Sequence, residues 1–236
     1  MTETKRAPVL AALGGGVIGA VLTAGALLLA APTFLSDRIV RQGLMNDPQI
    51  LVDTADALRD RQFAPVIAQN KVALETPFAS SWKGSAKPDI VLVEFYDYAC
   101  PYCKASNPHV EKLIKEDPGL RVVYRELPIL GPESVNSARL SLAASKAGRF
   151  RQFHDALYEA GRPAPETNAK AAQTAGIAAA PSDDPAVEAE LKKNFQLAGQ
   201  LGASGTPLFV VGDRVLNGAV GYDLLKKAIA DARTRS

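Results

Sequence analysis

The sequence predicts an α/β domain built in the order βαβ, helical block, ββα, behind an N-terminal apolar segment and a helical arm. Three observations predict it. Ile90 to Tyr96 is a nearly continuous apolar run, and a second such run spans Leu120 to Leu127 after a helical stretch; strand, helix, strand at this spacing is a βαβ unit. Between about 131 and 201 the pattern turns helical, in segments Ser134 to Ala147, Arg149 to Ala160, Glu166 to Gly176 and Pro185 to Leu201. After Gly205 strands return: Leu208 to Val211 and Arg214 to Leu216, joined by Gly212-Asp213, a hairpin signal, before a last helix over Asp223 to Ala232.

Before the domain, Lys5 and Arg6 precede thirty residues without a charge, Ala7 to Ser36, and Val9 to Ala31 is mostly apolar. A membrane-spanning helix needs about 20 such residues, whereas a secretory signal has a shorter apolar region of about 7–15. Possible cleavage sites, Ala24-x-Ala26 and the end of Leu29-Ala30-Ala31, lie inside the run or against Pro32. The expectation is therefore an uncleaved anchor over 1–32, with a cleaved signal as the alternative. Lys5 and Arg6 would stay cytoplasmic and the remainder would be exported.

Residues 33–77 read as a helical stalk or oligomerisation arm. Asp47-Pro48 is an N-cap with proline at the first helical position, Ile50, Leu51 and Leu58 form an apolar stripe, and Ala64-Pro65 starts a second helix to Leu74. Such helices cannot bury an apolar stripe alone, which suggests a homo-oligomer through residues 36–75. Thr76 to Lys87 reads as a loop with a short strand near Phe78. The domain itself spans 78–236.

Composition is that of a foldable chain, 47% hydrophobic and 22% charged. A net charge of +2 offers no basic stripe for phosphates, so nucleic acid is not an expected partner. The two cysteines, Cys100 and Cys103, stand three positions apart. A bridge between them closes almost no loop and so adds little chain-entropy stability; its value must be chemical, as a redox pair or a metal site. The pair follows a buried strand and opens a helix, whose first turn has free N–H groups and the positive end of the dipole. A thiolate is stabilised there, so Cys100 is expected to be the attacking sulfur, exposed to substrate, with Cys103 one turn later as its partner. Pro101 suits the first helical position. Thr206-Pro207 at the start of a strand suggests a cis peptide.

These features resemble the thioredoxin superfamily, specifically its DsbA-like branch with a helical insertion. The matching stretches are Val93 to Cys103, Glu126-Leu127-Pro128-Ile129-Leu130-Gly131 and Gly205-Thr206-Pro207-Leu208-Phe209, with Pro108 where the family has a helix-kinking proline. The arm resembles, more loosely, the N-terminal segment of ScsC-like proteins. The resemblance implies a thioredoxin-like fold and a protein disulfide oxidoreductase or isomerase working through Cys100 and Cys103 on cysteine-containing exported proteins. It implies a membrane redox partner and a place on the periplasmic side of the bacterial inner membrane, or free in the periplasm after cleavage. Thr206 and Pro207 would bind substrate beside Pro101 and Tyr102, and Glu94 matches a buried acid that moves protons at the resolving thiol. Tyr102 stands where DsbA has a histidine, which leaves the direction of electron flow open.

The rival is metal. A zinc site wants four ligands, and only His109 and His154 remain. A two-thiolate Cu(I) site, in a copper-handling or chaperone-like binding protein, is the alternative reading. No cofactor and no metal ligand is assigned.

Overall fold

A computed structural model describes residues 38–180 and 183–235. The anchor expected over 1–32 lies outside them. Among the described residues no helix is long and apolar enough to cross a membrane. The chain divides into two compact units, Met1–Ala57 and Leu58–Ser236.

In the first unit residues 38–46 are helical. The Asp47 carboxylate then accepts from the Gln49 N–H at 3.1 Å and caps α1 (Gln49–Glu75). The sequence expectation placed two helices here, the second starting at Pro65. The structure has one, with Pro65 inside it. Proline in a helix interior costs about 3 kcal/mol, and within the second unit that cost is offset by packing. Ile67 and Leu74 are buried, with Phe63 and Val66 beside them, against Val93, Phe95, Leu197, Leu201 and Val210. Each such side chain contributes roughly 1.5–3 kcal/mol when buried.

The sheet follows: β1 (Trp82–Gly84), β2 (Ile90–Tyr96), β3 (Leu120–Glu126), β4 (Leu208–Val211) and β5 (Arg214–Asn217). Its spatial order is β1-β3-β2-β4-β5. The β2–β3 pair is parallel, as a βαβ crossover requires, and the β1–β3, β2–β4 and β4–β5 pairs are antiparallel. The short strand expected near Phe78 falls instead at β1, where Trp82 pairs with Val123. Trp82 is stacked there against the guanidinium groups of Arg121 and Arg151. The β4–β5 turn rests on Gly212, whose φ of 58° suits a residue without Cβ.

Alternation sorts the strands onto two cores. Leu92, Tyr96, Val122, Tyr124, Phe209 and Val211 face α2 (Pro101–Glu116), α7 (Tyr222–Arg235) and part of the helical block. The opposite face, with Val93, Phe95, Val123, Leu208 and Val210, is covered by the second half of α1 and by α6 (Pro185–Gln200). The block inserted between β3 and β4 also holds α3 (Pro132–Lys146), α4 (Phe150–Ala160) and α5 (Pro165–Ala175), close to the four segments the sequence predicted.

Candidate functional site

The site forms where β2 ends and α2 begins. Cys100 is the N-cap of α2, with φ −79° and ψ 119°, and no side chain caps that helix. The free N–H groups of the first turn and the positive end of the helix dipole therefore lie at the cysteine pair. Pro101 holds the first helical position. Further along, Cys103, Ser106, Val110 and Leu113 form the stripe that α2 buries, and Pro108 lies within the helix. Both cysteines are unbridged.

The Thr206–Pro207 peptide is cis, as the sequence suggested. Cys100 Sγ donates to the carbonyl oxygen of Thr206 at 3.2 Å, which joins two segments 106 residues apart. This contact corrects one expectation: Cys100 is 5% exposed, because the Thr206 segment lies against it. The exposed members of the motif are Pro101 and Tyr102.

Glu94 lies on β2, paired with Tyr124 and Phe209 on the neighbouring strands. It is 1% exposed, and among the described residues neither carboxylate oxygen has a hydrogen-bond partner. Burial pushes its pKa up to about 8; the Lys83 charge opposes the rise and Glu111 adds to it. An unpartnered buried carboxyl takes its neutral form for this reason. Cys103, fully buried, has its thiol pushed well above the ordinary range. Burial is the main cause and a charge on Glu94 the next, with the Asp97 N–H acting the other way. Glu94 and Cys103 thus share a field, each making a negative charge on the other costly.

Three further residues organise the site and were given no role from sequence. Lys83, on β1, is buried; it contacts Glu111 on α2 at 2.5 Å and Asp155 on α4. Asp97 is 1% exposed and accepts three backbone N–H groups, from Ala99, Ile129 and Leu130 at 2.8–2.9 Å. Glu126, at the end of β3, accepts from the Tyr96 hydroxyl. Burial drives the Glu126 carboxyl well above the carboxylate range. Around it Tyr98 lies 2.9 Å from Ser141 Oγ and 3.2 Å from His154 Nδ1. Burial holds His154 neutral among Tyr96, Tyr98, Tyr124 and Tyr158, where it packs at 2% exposure. Asp97 and Glu126 stand inside the stretches that carried the resemblance, and an acid bordering an apolar strand was the available signal. Lys83 sat in a segment read as loop and gave none.

Among the described residues no group of three or more His, Cys, Asp or Glu is placed to hold a metal ion.

Comparison with known proteins adds an independent line. The family model described as a DSBA-like thioredoxin domain matches residues 91–230. A thioredoxin-like oxidoreductase of Silicibacter pomeroyi DSS-3 is 35% identical, with a TM-score of 0.65 over 71% of this chain and 99% of that one. A periplasmic thioredoxin-like protein of Salmonella enterica serovar Typhimurium is 31% identical, with a TM-score of 0.64 over 70% and 95%. A linker-deletion variant of Proteus mirabilis ScsC is 28% identical, with a TM-score of 0.68 over 88% and 97%. Among curated proteins, a 77-residue stretch is 32% identical to an Na(+)/H(+) antiporter NhaA of Salinispora tropica. That stretch is 32% of this chain but 12% of the antiporter, so the antiporter's activity does not transfer.

Proposed function

The chain belongs to the DSBA-like thioredoxin domain family, and from that premise we propose that it exchanges disulfides with exported proteins through Cys100 and Cys103, as oxidase or isomerase. One observation carries the reading: the Cys100 sulfur lies at the N-terminus of α2 and against the carbonyl of Thr206, beside Pro207.

In the oxidising direction the Cys100–Cys103 disulfide takes attack from a substrate thiolate at Cys100. The S–S bond breaks, a substrate–Cys100 disulfide forms, and Cys103 leaves with the electron pair. Glu94, neutral below about pH 8, gives its proton to the Cys103 sulfur. A second substrate thiolate then attacks the substrate sulfur of the mixed disulfide and releases Cys100. Two electrons pass from substrate to the cysteine pair. Isomerisation begins instead with Cys100 attacking a substrate disulfide. Thr206 and Pro207, the segment leading into β4, offer the backbone with which an extended substrate pairs, and Pro101 and Tyr102 flank it.

The test is trapping. Cys103→Ser should accumulate mixed disulfides with cysteine-containing proteins, and Cys100→Ser should form none and lose exchange. Turnover retained in Cys100→Ser would end the proposal. The potential of the couple against glutathione sorts oxidant from isomerase.

The same reading places the protein on the periplasmic side of the inner membrane, anchored by 1–32. The apolar run Val9 to Ala31 supports this, as does the likeness to a protein described as periplasmic. A membrane redox partner would restore the couple. Exposed Ile39, Val40, Met45, Leu51 and Val52 support a homo-oligomer through residues 36–75.

A further inference from the structure

Buried polar atoms in folded proteins are almost all paired, so each exception asks for a reason. Two exceptions belong to the surroundings of Cys103. One is the Glu94 carboxyl. The other is the Tyr158 hydroxyl on α4, which has no hydrogen-bond partner among the described residues although Tyr158 is buried. Its ring is fixed by packing, with centroids 5.0 Å from Tyr98, 4.9 Å from His154 and 6.5 Å from Tyr96. Tyr96 stands two residues beyond Glu94 on β2, so both side chains leave the same face of the sheet. The ring therefore covers the row next to Glu94, inside the buried cluster that holds Cys100 and Cys103. Burial drives the hydroxyl's pKa up; negative charge on Cys103 acts the same way, then Glu94, Tyr98 and Glu126. Tyr158 thus keeps its proton and stays a donor.

Ordinary packing gives no reason for this hydroxyl. Phenylalanine would fill the same space without burying a polar group that bonds nothing, which costs stability. Disulfide exchange does give a reason. When the Cys100–Cys103 bond breaks, the electron pair stays on the Cys103 sulfur. When Glu94 then gives up its proton, the negative charge passes to its carboxylate. At both stages a full charge stands in the core, where Glu94 has no donor among the described residues.

We propose that the Tyr158 hydroxyl is the donor held for that charge, and that the helical insertion in this way takes part in the redox chemistry. The inference rests on the redox reading above and deepens it. In the dithiol form, with Cys103 and Glu94 both neutral, the hydroxyl has no charge to bond. In the reacting form it donates to the Cys103 sulfur and then to the Glu94 carboxylate. One proton moves, from Glu94 to Cys103, and Tyr158 keeps its own. A group that costs stability at rest and is used only in the reaction is what functional sites retain.

The experiment compares the full chain with Tyr158→Phe, which keeps the ring and removes the donor. The oxidised proteins are mixed with dithiothreitol, and release of the Cys103 thiol is followed by acid quench and alkylation. A hydrogen bond to a charged group is worth roughly tenfold to a hundredfold, so the variant should react slower by about tenfold or more. Urea unfolding of the reduced proteins should show the variant equally stable or more stable, because the hydroxyl bonds nothing there. Glu94, followed by carbon NMR of its labelled carboxyl group, should titrate about one pH unit higher in the variant, its carboxylate having lost the donor. The charges that act on Glu94, Lys83 on β1 and Glu111 on α2, are unchanged between the two proteins, so such a shift belongs to Tyr158. Equal reaction rates would overturn the inference, as would an unchanged Glu94 midpoint or a rate loss matched by a stability loss. Should Tyr158→Phe fail to fold, replacing Tyr158 by 3-fluorotyrosine strengthens the donor instead; the reaction should quicken, and an unchanged rate would overturn the inference. Absence of any reaction between the oxidised wild type and dithiothreitol would bring down the redox reading itself.

Discussion

A buried carboxyl group on a central strand, with no hydrogen-bond partner for either oxygen among the described residues, is governed by its solvation, and Glu94 is that group. Its pKa rises from 4.5 to about 8 on folding, mainly through burial. Between these values the unfolded chain carries it ionised and the native chain carries it protonated. The unfolded state then binds fewer protons, so stability falls as pH rises across that window, by about 1.4 kcal/mol per pH unit, and levels off above about 8. Glu94→Gln should flatten this slope, as measured by urea unfolding at pH 5, 6.5 and 8. The same variant should slow the step that protonates Cys103 most strongly below pH 8, where wild-type Glu94 still holds its proton. A kinetic profile in which wild type and variant run parallel would show that Glu94 takes no part. The cysteines, Thr206 and Pro207 were legible in the sequence because they are motif residues at fixed spacing. Lys83 was not, because its place near Glu94 depends on β1 pairing with β3, and strand pairing between distant segments leaves no mark in a single sequence.

The elements tell a related story. Strands β2 and β3 were legible because both faces are buried and the apolar runs are therefore nearly continuous. The four helices of the block were legible from the prolines and glycines that bound them. Helix α1 was misread at Pro65 because local propensity argues for a break there, while tertiary packing decides otherwise. Arg125 is the residue that makes this packing specific. It is 1% exposed on β3, yet its guanidinium donates to the carbonyl oxygens of Ala73, Leu74 and Thr76 at the end of α1. It also bonds Glu190 and Asn194 on α6, both at 2.9 Å. One side chain therefore closes the carbonyl end of α1 and ties two covering helices to the sheet. Arg125→Met removes the charge while keeping an apolar stem, and leaves Glu190, itself 6% exposed, with Lys193 as its remaining ion-pair partner. Breaking a buried pair in this way costs about 3–5 kcal/mol. Equilibrium unfolding in urea should show a loss of that order; a loss under 1 kcal/mol would mean that apolar packing alone holds α1.

At the scale of the whole chain the question is where the domain begins. The sequence reading set the start at 78, after an arm over 33–77. The structure puts its compact unit from Leu58, so the second half of α1 is a wall of the core. Phe63 shows how closely it is fitted: its ring comes within 2.6 Å of where a side-chain carbon on Gly202 would stand, so a larger residue there would push the ring aside as well as strain a backbone at φ 67°. Asn70 adds a hydrogen bond to Gln200 at 3.1 Å. The described residues before 58 contribute nothing to the three buried clusters, all of which lie in the second unit. Two truncations separate the consequences. A chain starting at Leu58 should melt within a few degrees of one starting at Arg38 and keep its disulfide exchange with a small dithiol. A chain starting at Phe78 loses Phe63, Ile67 and Leu74 and uncovers Val93, Phe95 and Val210, a loss of roughly 5 kcal/mol or more by area burial. It should aggregate or unfold at ordinary temperature. If the proposed oligomer forms through the part of 36–75 that precedes the cut, where exposed Ile39, Val40, Met45, Ile50, Leu51 and Val52 lie, the chain starting at Leu58, which keeps exposed Leu58 and Val72, should also run as a monomer in light scattering while that starting at Arg38 does not. Association that survives the cut would move the interface onto the domain itself.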